Sequence, residues 1–91
     1  MKNHWQAFLS LCLKTKNSKE LAELLDCFLT PEEKIAIADR YAIINALLSN
    51  KQTQREISEK LHVSIATITR GSNALKSLDA NLLMFLKKNG G

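Results

Sequence analysis

Ninety-one residues, 45% of them hydrophobic, make one small domain (residues 1–91) with more apolar surface than a lone chain of this size buries. Thirteen basic residues against nine acidic ones leave a net charge of +4, which suits a polyanionic partner. Cys12 and Cys27 lack metal-ligand spacing and read as reduced thiols of a cytoplasmic protein. The uncharged run Tyr41 to Asn50 is half of the roughly 20 residues a membrane span needs. The apolar stretch after Lys2 has no small-residue cleavage site and makes a poor secretory signal.

The first predicted helix carries Trp5, Phe8, Leu9 and Cys12 at i, i+3, i+4, i+7, an aromatic stripe read as packing. A break from Thr15 to Ser18 follows, with Ser18 as cap of a second helix over 19–28 that buries Leu21, Leu24, Leu25 and Phe28. Thr30-Pro31-Glu32-Glu33 is the clearest helix start in the chain. Thr30 caps, Pro31 suits the first helical position, and Glu33 reaches back to Thr30. The third helix runs to about Leu48 and is apolar almost all round, so it is expected to be covered on every side, at the centre of a dimer. Asn50 ends it in the left-handed conformation.

Thr53 with Glu56 forms a second capping box, and Ile57 and Leu61 make the buried edge of the helix it opens. His62-Val63-Ser64 breaks the period, and Ser64 caps a further helix in which Ile65, Ile68, Leu75 and Leu78 lie on or near one stripe. Two helices about a tight turn, over about 53–77, are a helix-turn-helix, whose second helix can enter the DNA major groove. Near its start that helix shows no acid, only small, hydroxyl-bearing and basic side chains, which can approach phosphates and thymine methyls. Residues 51–77 hold five basic and two acidic side chains, three of the four net positive charges of the whole chain. A solvated basic face is the plainer explanation, but it has no need to coincide with such a hairpin. Asp79 then caps a sixth helix holding Leu82, Leu83, Phe85 and Leu86, and Asn89-Gly90-Gly91 is expected to fray.

The run Ile65 to Asn73 (IATITRGSN), preceded by Thr53-Gln54-Arg55-Glu56, resembles the reading head of the bacterial Trp repressor family, and Leu29-Thr30-Pro31-Glu32-Glu33 resembles it at the matching distance. The likeness runs without a gap from about Leu24 to Leu86; the first helix matches only in pattern. It implies an all-α fold of six short helices, an intertwined homodimer, and L-tryptophan as corepressor. Arg40 and Arg70 would then sandwich the indole, Arg70 also holding the carboxylate, both tasks that guanidinium performs and ammonium does not. Thr30 would approach the carboxylate, and the carbonyls of Cys27 and Leu29 would receive the ammonium group. Gly71, which costs about 1 kcal/mol relative to alanine in mid-helix, marks a close approach, with the indole as candidate. Without the resemblance, Arg40 reads as an ion-pair partner of Asp39. Operator DNA would meet Gln54 and Arg55 at the hairpin's entry, Ile65, Ala66, Thr67 and Thr69 at bases, and Lys76 at a phosphate.

Three departures from the family pattern carry expectations. Ala74 stands where the family usually has a serine that bonds the ammonium, which predicts weaker tryptophan binding or poorer rejection of analogues without the amino group. His62-Val63-Ser64 replaces a glycine-favouring turn, which predicts a stiffer head and higher operator affinity without ligand. The N-terminal arm of some members is missing here, which predicts weaker nonspecific or tandem binding. No Cys-His pair with ligand spacing, glycine-rich phosphate loop or serine elbow supports catalysis or a metal. The alternatives are a regulator of the same fold answering to another ligand or none, and a protein-interaction module that keeps the bundle but not DNA recognition.

Overall fold

A computed structural model describes residues 3–90, which form helices α1 (His4–Leu13), α2 (Ser18–Asp26), α3 (Pro31–Ser49), α4 (Gln54–Leu61), α5 (Ile65–Lys76) and α6 (Ala80–Asn89), with no strand among the described residues. Each helix begins at a short polar side chain that accepts a backbone N–H three residues on. The acceptors are Asn3, Asn17, Thr30, Thr53, Ser64 and Asp79. Thus every helix start is written locally, by satisfying one of the four N–H groups a helix leaves unpaired. At α2 the expected cap, Ser18, is instead the first helical residue. Asn17 accepts the Glu20 N–H at 2.9 Å, so the helix begins one residue earlier than its apolar period suggests.

The chain divides into two compact units, residues 1–34 and 35–91. In the first, Trp5 stacks on Phe8 with ring centroids 5.6 Å apart, and Phe8 meets the edge of Phe28 at 5.0 Å. Lys34 bridges to Asp26 at 2.7 Å. Both cysteines are free. No residue of this unit is fully buried among those described.

Among its described residues the second unit has three fully buried side chains, Ile43 of α3, Ile57 of α4 and Ile68 of α5. Asn50 ends α3 at φ 53°, and His62 ends α4 at φ 57°, left-handed positions taken without glycine. The α4–α5 turn is tied down by several bonds. His62 and Val63 both donate their N–H to the Ser58 carbonyl, and the Ser58 hydroxyl donates to the carbonyl of Val63. At the far end, Asn89 belongs to α6 and donates its side-chain amide to the Phe85 carbonyl at 2.9 Å. Gly90 donates its N–H to Leu86 and lies so close to Asn45 that a Cβ would stand 2.6 Å from Asn45 Oδ1. These contacts hold Asn89 and Gly90 where fraying was expected; Gly91 lies outside the described residues.

Much apolar surface is left uncovered: Ile35, Ile37 and Tyr41 on α3 and Leu82, Met84 and Phe85 on α6 are all exposed. Along α3 the cover is uneven, because residues 42–48 are half-buried or buried while these three at its start are not.

The Thr53–Glu56 capping box is complete, with the Glu56 N–H donating to Thr53 Oγ1 at 3.1 Å and Thr53 N–H to Glu56 Oε1 at 2.9 Å. The Thr53 N–H, and after it the Thr53 hydroxyl, hold the Glu56 carboxyl below its ordinary value of 4.5. A depressed carboxylate stabilises the fold above its unfolded value and stops doing so as pH falls through the folded one. The first turn of α4 is therefore expected to loosen only below about pH 4.5, seen as backbone carbon shifts of Arg55 and Glu56 drifting to coil values. Thr53→Ala should cost about 1 kcal/mol at neutral pH. A first turn that loosens equally in Glu56→Gln would count against the box.

Candidate ligand cleft and nucleic-acid interface

On α3, residues Ala36, Asp39, Arg40, Ile43 and Ile44 fall at i, i+3, i+4, i+7 and i+8 and therefore share one face. On α5, Thr67, Arg70, Gly71 and Ala74 do the same, with the cap Ser64 and the turn residue Val63 at its start. These two faces line an open cleft of about 650 Å³, within the range of roughly 300–1,000 Å³ usual for small-molecule sites. Gly71 sets how near the helices come. A Cβ on it would stand 3.0 Å from Ile43 Cγ2 and 3.5 Å from Leu47 Cδ1. The close approach expected at Gly71 is thus made by the side chains of α3, with the cleft beside it.

The cleft combines an apolar lining (Ala36, Ile43, Ile44, Val63, Ala74) with two guanidinium groups, one carboxylate and two hydroxyls. Neither Arg40 nor Arg70 has an ion pair or a side-chain hydrogen bond among the described residues; in particular Arg40 is not paired with Asp39. Both guanidiniums are therefore available to a guest. The hydroxyls of Ser64 and Thr67 lie 2.8 Å apart, and Ser64 also accepts the Thr67 N–H, so both are already engaged.

Of the residues expected at a ligand, Arg40, Arg70, Gly71 and Ala74 share this cleft. Cys27, Leu29 and Thr30 belong to the 1–34 unit. Thr30 makes its reciprocal box with Glu33, at 3.1 and 2.8 Å. The carbonyls of Cys27 and Leu29, just past α2, accept no hydrogen bond among the described residues. Sequence reasoning passed over Asp39, Val63 and Ser64 as lining residues. The signal for Asp39 was present in the spacing Ala36–Asp39–Arg40–Ile43, but what that face looks onto depends on how α5 crosses it.

The residues expected at DNA lie on α4 and α5. Ile65, Ala66, Thr69 and Lys76 are exposed on α5, and Gln54 and Arg55 are exposed at the start of α4. Thr69 reaches across to Gln54, Oγ1 to Oε1 at 3.5 Å, which draws the entry of α4 to the outer face of α5. Arg55 stands 3.9 Å from Glu59 on its own helix, a fully exposed pair worth little. Thr67 differs from its neighbours in being half-buried and lining the cleft.

Among the described residues no group of side chains is arranged to hold a metal, and no helix is long and apolar enough to cross a membrane. Residues 3–90 match the family model described as Trp repressor protein. A Trp operon repressor homolog of Chlamydia trachomatis serovar D is 56% identical over 84 residues, 92% of this chain and 89% of that protein. One from Actinobacillus succinogenes is 42% identical over 87 residues, 94% and 85% of the two chains. Another, from Haemophilus influenzae strain PittEE, is 36% identical over 84 residues, 92% and 83%. A match along nearly the whole chain, on a six-helix fold that carries the expected hairpin, shows that the chain belongs to the Trp repressor family of transcription regulators, which are not enzymes.

Proposed function

We propose that the chain is an L-tryptophan-dependent repressor that binds palindromic operator DNA as a homodimer in the cytoplasm and regulates genes of tryptophan or aromatic amino-acid metabolism. One observation carries this reading: α5 belongs to two surfaces at once. Its inner face supplies Arg70, Gly71 and Ala74 to the cleft, and its outer face presents Ile65, Ala66 and Thr69. A guest behind the helix therefore bears directly on the residues that would face the groove.

The residues present fit tryptophan. Arg40 and Arg70 offer flat cations for the two faces of an indole, and Arg70 a fork for its carboxylate. Apolar side chains receive the ring. As the resemblance implies, the carbonyls of Cys27 and Leu29 would receive the ammonium and the Thr30 hydroxyl would approach the carboxylate. Gln54, Arg55 and Lys76 supply phosphate contacts. In a dimer, two copies of α5 must meet successive major grooves roughly 34–36 Å apart, the spacing already familiar from helix-turn-helix repressors, the Trp repressor among them. Exposed Ile35, Ile37, Tyr41, Leu82 and Phe85 supply apolar surface for the second copy. A ligand that favours the DNA-fitting separation gains affinity from DNA by the same factor.

The test is binding of a labelled palindromic duplex with and without L-tryptophan, across a salt series. Tryptophan should tighten binding, and affinity should fall steeply with salt because phosphate contacts release counterions. Weak specific binding should persist without ligand, since the α4–α5 turn is already pinned by Ser58. A duplex affinity indifferent to tryptophan would sink the ligand; one indifferent to salt would sink the DNA. Ala74→Ser, by restoring a hydroxyl at the cleft, should tighten tryptophan about twofold to tenfold, the worth of one hydrogen bond, and leave indole-3-propionate unchanged in calorimetry.

A further inference from the structure

The cleft holds a carboxylate that the reading above leaves without a task. Asp39 lines it beside Arg40 and opposite Arg70 and Thr67. The ion pairs formed among the described residues are Lys34–Asp26 and Arg55–Glu59, so Asp39 has no cationic partner. It accepts no hydrogen bond and caps no helix among those residues. Its helix spacing with Ala36, Arg40 and Ile43 keeps it on the face that looks into the cleft. We propose that Asp39 receives the ammonium group of the ligand and makes the cleft selective for an aromatic amino acid over an aromatic acid.

This rests on the tryptophan reading and deepens it. Two guanidiniums alone would welcome any flat anion, and an aromatic acid would satisfy them as well as an amino acid does. Adding one carboxylate turns the lining into a complement for a zwitterion, whose separated charges each find an opposite. The other acceptors on α5 are poor candidates. Ser64 and Thr67 are hydrogen-bonded to each other and carry no charge, so each is a weaker acceptor for an ammonium than a carboxylate, and Ala74 has no hydroxyl. An ammonium has three N–H donors, so a bond to Asp39 is compatible with further bonds to backbone carbonyls.

Calorimetry of the full chain with L-tryptophan and with indole-3-propionate tests it, on the unaltered protein, Asp39→Asn and Asp39→Glu. Asp39→Asn keeps the size of the side chain and removes its charge. It should weaken tryptophan about threefold to tenfold, the worth of one charge-assisted bond in a half-open site. Indole-3-propionate should bind that variant as well as before or better, because a repelling carboxylate is gone. Asp39→Glu should retain the preference for tryptophan. A structural role would move both ligands together, so parallel losses, or no change in tryptophan affinity, overturn the assignment of Asp39 while leaving the cleft its ligand. If neither compound binds the unaltered chain, the tryptophan reading falls and this inference with it.

Discussion

Ile57→Ala is expected to remove about 2–5 kcal/mol of stability, the range for a large aliphatic side chain truncated in a closed core. Ile57 is 0% exposed, on the one edge of α4 that faces α5, where Ile68 is equally buried. Nothing else in α4 is fully buried, and its remaining side chains are half-buried or exposed. A domain of this size is stable by roughly 5–15 kcal/mol, so one truncation removes a large share and loosens the helix-turn-helix first. Ile57→Val, which deletes one methylene, should cost about 0.5–1.5 kcal/mol. Ile65→Ala supplies the control, since Ile65 is 47% exposed. An exposed truncation usually falls within about 0.5 kcal/mol. Urea denaturation followed by circular dichroism ranks the three. Equal losses for Ile57→Ala and Ile65→Ala would mean that α4 does not pack on α5 as described.

Helix starts were legible because they are local. A Thr, Ser, Asn or Asp side chain three residues from the N–H it binds needs no knowledge of the rest of the chain, and both capping boxes appear as expected. The one miss, Ser18 for Asn17, is a choice between adjacent polar residues that apolar periodicity places only to within a residue or two. Asn89 and Gly90 were harder, since their local bonds to Phe85 and Leu86 are joined at Gly90 by a close approach to Asn45, far away in sequence. The cleft divides the same way. Arg40 and Arg70 entered through resemblance to a family, and Gly71 through the helix penalty that an unexplained glycine carries. Asp39 and Val63 entered through neither, because their importance comes from the crossing of α3 over α5. The uneven cover of α3 is a further case: its apolar sequence predicts burial throughout, while in the single chain Ile35 and Tyr41 are open. Apolar composition signals a tendency to be buried without saying which side chains of the same chain supply the cover.

Arg70→Ala is expected to cost roughly a hundredfold in tryptophan affinity and with it the effect of tryptophan on operator binding. Two contributions vanish together: a charged hydrogen bond to the carboxylate, about 1.5–3 kcal/mol, and a cation over the indole face, about 0.5–2 kcal/mol. Arg70 is exposed and unpaired among the described residues, so its removal should leave helicity and melting temperature as they were. Arg70→Lys separates the contributions, because ammonium keeps the charge but loses the plane and the fork; its affinity should fall between the two. Arg40→Ala, removing a stacking partner and no carboxylate contact, should lose less than Arg70→Ala for tryptophan, and the two should converge for tryptamine, which has no carboxylate to hold. Operator binding without ligand should decline only slightly in either variant, since one charge among five in the hairpin region is lost or, for Arg40, none. An Arg70→Ala protein that binds tryptophan as tightly as the parent would place the ligand elsewhere and dissolve the link between the cleft and the reading helix.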